Sequence, residues 1–183
     1  VGAEEQPRDD KGRFAGTGGH DARAWAKGHA AGFLGKTLAQ GGFTVRPRGD
    51  AEHVPTTGIM VSRAPTEGHG HVVEAKALVD KMVAEGKGAA EINKAVADHA
   101  LKAVKSWLEK AGKAIQKLGP DHYLGGWVEK DKGGRPVALH LDVSQRFQER
   151  HKERAVKAGR ERNQLAVWHV SKGEEIATGG TGR

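Results

Sequence analysis

The apolar positions of this chain keep different periods in different stretches, and each period predicts an element. Ala97, Leu101, Val104, Leu108, Ala111, Ile115 and Leu118 follow one another in steps of four and three. That spacing lines one narrow apolar stripe along a long helix. Glu109 lies four residues before Lys113 and Asp98 four before Lys102, the favourable order for ion pairs on its outer face. Gly119 and Pro120 then end the helix. A stripe of this kind covers a sheet; its other use is to meet a partner helix in a second subunit.

Further on the period becomes two. In "RPVALHLDVS" Val137, Leu139, Leu141 and Val143 point one way, while Ala138, His140, Asp142 and Ser144 point the other. "HYLGGWVE" precedes it across "KDKGG", whose glycines supply the positive φ that a tight hairpin requires. "GFTVRPR" and "TTGIMVSRA" predict two more strands, with Phe43, Val45, Ile59 and Val61 facing inward. "QLAVWHV", apolar on both faces, predicts a last strand in the interior of the sheet. Between hairpin and last strand, "QRFQERHKERAVKAGRERN" has a thin apolar set (Phe147, Ala155, Val156, Ala158) in a basic surround and predicts a half-exposed helix. Another helix is expected near Val72 to Glu85. "DARAWAKGHAAGFLGKTLAQGG" spaces Trp25, Phe33, Leu34 and Leu38 like a helix face, but Gly28, Gly32 and Gly35 each cost roughly 1 kcal/mol relative to alanine. Only tertiary contacts would hold that helix, and residues 1 to about 20 offer almost nothing to bury.

The expectation is therefore an α+β fold: a mostly antiparallel sheet of about five strands, covered by a long amphipathic helix and a shorter basic helix. Residues 1–41 would be a flexible tail with a possible short helix, 42–178 a single domain and 179–183 a second tail. The basic helix, as a crossover, allows the last strand to run parallel to a hairpin strand.

Composition narrows the function classes. Hydrophobic residues make up 37% of the chain and glycine supplies 27 positions, so the core should be smaller than the chain. No apolar run reaches the length of a bilayer span, and no export signal opens the sequence. Cysteine is absent, which excludes disulfides and thiolate metal sites. A net charge of +7 and a pI near 9.7 favour an anionic partner, DNA or RNA first, although such a surface also serves solubility.

Candidate chemistry is sparse. His140, Asp142 and Ser144 invite a triad, but alternate residues on a strand stand roughly 6.5 to 7 Å apart, too far for direct hydrogen bonds along it. A neighbouring strand would instead offer Trp127 or Glu129 to His140. "EGHGH" brings Glu67, His69 and His71 together near Glu74, without a remote third ligand at diagnostic spacing, so neither metal nor cofactor is expected. Arg146, Arg150, Arg154 and Lys157 fall at i, i+4, i+8 and i+11 and would form one ridge along a phosphate backbone. Glu149, Glu153 and Glu161 interleave with them, as on a solvated face. Trp127 and Trp168, if together on one face, would stack bases.

Several motifs resemble a known setting. "RDDKGRFAG" is similar to tails on structural-module proteins of tailed phages infecting actinobacteria. "GFTVRP…TTGIMVS", "YLGGWVEKDKGGRPVALHLDVS" and "RNQLAVWHV…EEIATGG" resemble, over roughly residues 42–180, an uncharacterised domain encoded among phage head genes near portal and minor head proteins. His140 stands where that pattern has tyrosine or another apolar aromatic residue, and His169 where it has an acidic one. The resemblance implies residence in the host cytoplasm or the virion, with portal or minor head proteins as partners, and brings no functional residues with it.

The leading expectation is a virion-associated or accessory protein of the head region, binding nucleic acid or a virion partner through a basic surface. The competing one is a small ribonuclease-like toxin with His140 or His169 as general base and Arg146 stabilising phosphate charge. A third is an ADP-ribosyltransferase-like effector using Glu174 or Glu175, for which no NAD-binding motif precedes. Oligomeric state is left open by the sequence.

Overall fold

The structure, a computed structural model, describes residues 22–48, 51–63 and 69–181. The N-terminal stretch expected to be disordered, and Glu67 of the histidine loop, lie outside them. In chain order the elements are α1 (Ala22–Gln40), β1 (Gly42–Arg48), β2 (Ala51–His53), β3 (Ile59–Ser62), β4 (His71–Glu74), α2 (Lys76–Ala84), α3 (Ala89–Leu118), β5 (His122–Lys130), β6 (Pro136–Phe147), a 3-10 turn (Glu149–His151), α4 (Lys152–Glu161), β7 (Ala166–His169) and β8 (Glu174–Ala177).

The predicted hairpin β5–β6 is the spine of one sheet ordered β2-β1-β5-β6-β3-β7-β8, with β4 also on β6. β5 runs along one side of β6. The other side is divided, with β4 against Ala138–Leu141 and β3 against Ser144–Phe147. The α+β class is as expected; the described residues form eight strands where about five were predicted, and every pairing among them is antiparallel. β7 runs antiparallel to both β3 and β8, so with β3 between them it points the same way as the hairpin strand β6, as the crossover through α4 allows, and it lies one strand from the edge.

Alternation decides what each face meets. Leu139, Leu141 and Val143 join Leu124 and Val45 in a core with residues of α1, α2 and α3. Ile59, Val61 and Val167 on the same face pack against Ala155 of α4. Among the described residues all four helices therefore cover one side of the sheet, and none covers the other.

Several boundaries differ from expectation for physical reasons. α1 is held by tertiary contacts: Trp25, Ala26, Ala30, Phe33 and Leu34 are buried with α3, so residue 42 does not mark where the core begins. Its glycines 28, 32 and 35 lie on the exposed side, where a Cβ would meet nothing. α3 buries Ile92, Val96, Ala100, Val104, Leu108, Ala111 and Ile115, while Leu101, expected inside, is 39% exposed. Two stripes of equal period overlap there, and contact with α1 selects one. Asp98 consequently pairs with Lys94 instead of Lys102, whereas Glu109 and Lys113 pair as predicted. The stretch around Val72 is strand β4, and its helix begins at Lys76. At the C-terminus Glu174–Ala177 forms β8, and Thr181 N donates to Asn163 Oδ1 at 2.8 Å, so the described part of the expected tail is tied down.

Candidate functional site

The helix-free face carries the polar set of β6 and its cross-strand partners. Gly42 and Thr44 of β1, Gly125 and Trp127 of β5, Asp142 and Ser144 of β6, Met60 and Ser62 of β3, Trp168 of β7 and Glu175 of β8 border an open cleft of about 660 Å³.

Asp142 lies at its centre. Ser62 Oγ donates a short hydrogen bond to Asp142 Oδ2, and Ser144 Oγ makes a longer one of 3.4 Å to Oδ1. Ser62 is fixed in turn, because Gln164 Nε2 and, at 3.2 Å, Arg162 Nη1 both donate to its carbonyl. Burial pushes the Asp142 carboxyl above its ordinary range; the two serine hydrogen bonds and the nearby His140 oppose the shift without cancelling it. Room for the carboxylate comes from Gly125, where a Cβ would stand 2.5 Å from Oδ1. The adjacent Gly126 serves the opposite face, since its Cβ would meet the Phe43 ring at 2.6 Å. The Gly-Gly pair in "YLGGWV" thus admits a carboxylate on one side of β5 and an aromatic ring on the other.

Two tryptophans bound the cleft. Trp127, 49% exposed, stacks on His140 with ring centroids 3.9 Å apart and planes 3° from parallel. His140 Nε2 lies 2.9 Å from Glu129 Oε2, so both neighbours anticipated for this histidine are present. Trp168, 44% exposed, lies opposite Met60, which lies opposite Arg146. The tryptophans share a face but are separated by three strand spacings and six residues of β6, roughly 14 Å across the sheet and 20 Å along it. They mark the two ends of a diagonal groove and do not form one platform.

The predicted catalytic residues do not converge. His140 and Arg146 are on the open face six residues apart, whereas His169 is opposite Ile59 on the helix-covered face and only 5% exposed. Arg146 is engaged by Asp121 at 3.2 Å and lies over the Tyr123 ring. The predicted basic ridge is also corrected. Arg146 belongs to β6, Arg150 to the 3-10 turn, and only Arg154 and Lys157 to α4, where Lys157 pairs with Glu161 at 3.8 Å. Glu174 is beside Lys172, and Glu175 reaches the cleft. His69 and His71 belong to no cluster of three or more potential metal ligands among the described residues. No described helix is long and apolar enough to cross a membrane.

Sequence reasoning missed Ser62 and Gln164, which lie 80 positions before Asp142 and 22 after it. It also missed His122, a buried group below the covered face. Arg63 Nη1 approaches His122 Nε2 at 3.0 Å, and since arginine only donates, Nε2 accepts and the proton sits on Nδ1. Desolvation and the Arg63 charge push this imidazole below its ordinary value, against the opposing effect of the Gly119 backbone. The signal for Asp142 was available: two consecutive glycines in a strand paired to one with an acidic residue on its polar face. Comparison with protein-family models, curated proteins and solved structures finds no match to this chain.

Proposed function

We propose that this chain is a phage head-module accessory protein that acts by binding, with the helix-free face of the sheet as its contact surface. The observation that carries this reading is the pair of exposed tryptophans, Trp127 and Trp168, at the ends of a groove whose centre is the desolvated Asp142. Large aromatic side chains left in water along a concave surface mark an interaction site. Catalysis finds less support. The Ser62 and Ser144 hydroxyls are both directed to Asp142, and His140 is occupied by Glu129 and Trp127, so among the described residues of the cleft no nucleophile has a free base beside it. Glu175, the other carboxylate among the described lining residues, is three strand spacings from Asp142, about 14 Å across the sheet and beyond the separation of a hydrolytic pair.

Among the described residues the cleft lining contains Asp142 and Glu175 but no lysine or arginine, so it suits a cationic or neutral partner better than a phosphate backbone. A segment of a portal or minor head protein that presents a lysine or arginine between the tryptophans fits this chemistry, and the resemblance of the strand motifs to phage head-module domains is the reason for choosing that partner. The test is binding of this chain to the purified portal and minor head proteins of the same gene module, by biolayer interferometry. Trp127→Ala and Trp168→Ala should each weaken the complex at least tenfold. Equal affinity for wild type and the double variant would overturn the proposal.

A further inference from the structure

We propose a second site on the helix-covered side of the molecule: a groove between α3 and the segment entering β4 that binds a nucleotide. It is a cavity of about 740 Å³, within the range of small-ligand pockets. Its polar rim consists of His69 and His71 on one wall and His99, Lys102, Ser106 and Lys110 on the other. The latter four follow in steps of three and four, so they form one stripe of α3, immediately beside the stripe that enters the core.

Charge points to the ligand. Lys94 and Lys113 of the same helix are neutralised by Asp98 and Glu109, but Lys102 and Lys110 have no ion pair among the described residues. No described carboxylate lines the cavity. Two lysines eight residues apart on a helix stand about 12 Å apart along its axis. Their long side chains can close on one diphosphate from both ends, as point charges suited to phosphate.

Shape supplies the rest. Behind the rim the helix presents Ala103 and Ala111, with the Trp107 side chain beside them, a low apolar floor on which a flat ring can lie. The walls are already joined. Trp107 Nε1 donates to the His69 carbonyl at 2.9 Å, and His99 Nε2 donates to the Glu74 carbonyl at 3.0 Å, tying both ends of the β4 region to α3. A site held open this way loses little freedom on binding. An apolar floor under a cationic rim matches a base joined to phosphates, and it is independent of the tryptophan groove on the other face.

Isothermal titration calorimetry of the full chain at low salt, with ADP, pyrophosphate and adenosine, tests the assignment. ADP should bind at least tenfold more tightly than either fragment. Lys102→Glu with Lys110→Glu should abolish ADP binding, while Lys117→Glu with Lys132→Glu, which changes net charge equally at exposed positions outside the groove, should leave it intact. Lys102→Gln with Lys110→Gln, checked for native circular dichroism, repeats the loss without charge reversal. No ADP binding by the wild type, pyrophosphate binding as tightly as ADP, or equal losses in both charge-reversal pairs would overturn the proposal.

Discussion

Gly125 of β5 lies directly opposite Asp142 of β6, and a methyl group in place of its hydrogen would stand 2.5 Å from the Asp142 carboxylate. The central groups of the cleft depend on that missing side chain. Gly125→Ala should therefore push Asp142 away from Ser62 and destabilise the fold by about 1–3 kcal/mol, the usual cost of overpacking a closed site. Urea denaturation measures it; a variant as stable as the wild type would show that the carboxylate has room to move.

Asp142 should be costly to stability. Burial raises its folded-state pKa above the ordinary 3.8, so the folded protein holds this proton more tightly than the unfolded chain does. Stability from this group is greatest in acid and declines as pH rises from about 4 through the raised folded value. Asp142→Asn should raise the melting temperature at pH 7 and flatten the stability profile above pH 4, while weakening partner binding through the groove. A lower melting temperature at pH 7 would refute the sign.

His122 titrates in the opposite sense for stability. Its folded pKa is depressed below 6.5 by burial and by Arg63, so the unfolded chain takes up a proton that the folded one refuses. Stability is then lost as pH falls below about 6.5. His122→Asn should reduce the slope of unfolding free energy against pH between 6.5 and 5, read against the wild type in parallel denaturation series. An unchanged slope would exclude His122 as a contributor.

The two histidines first singled out should separate by stability. His169 is buried beneath α4's side of the sheet, and His169→Ala should cost about 2–3 kcal/mol. His140 is half-exposed against Trp127, and His140→Ala should cost about 1 kcal/mol, the scale of one ring-stacking contact. Chemical denaturation of both variants checks the order; equal costs would contradict the assignment of the two residues to opposite faces.

Where local spacing sufficed, the elements were legible. The β5–β6 hairpin follows from alternating residues around "KDKGG", and α3 from a 3.6-residue period ended by Gly119, since both patterns are created by neighbours in the chain. The misreadings occur where distant pairing overrides local period. Gln145, Arg146 and Phe147 sit in a helix-like spacing, yet they extend β6 because β3, more than 80 residues earlier, pairs with them. α1, weakened by three glycines, forms because Trp25 and Phe33 find α3. The candidate site shows the same division. Alternation alone places His140, Asp142 and Ser144 on one face, but Ser62, Gln164 and Trp168 join them only through the pairing of β3 with β6 and β7. The sequence by itself determined the α+β class, the hairpin and the polar strand; which face the helices left open, and hence where a partner can bind, was decided by packing between residues that no local pattern connects.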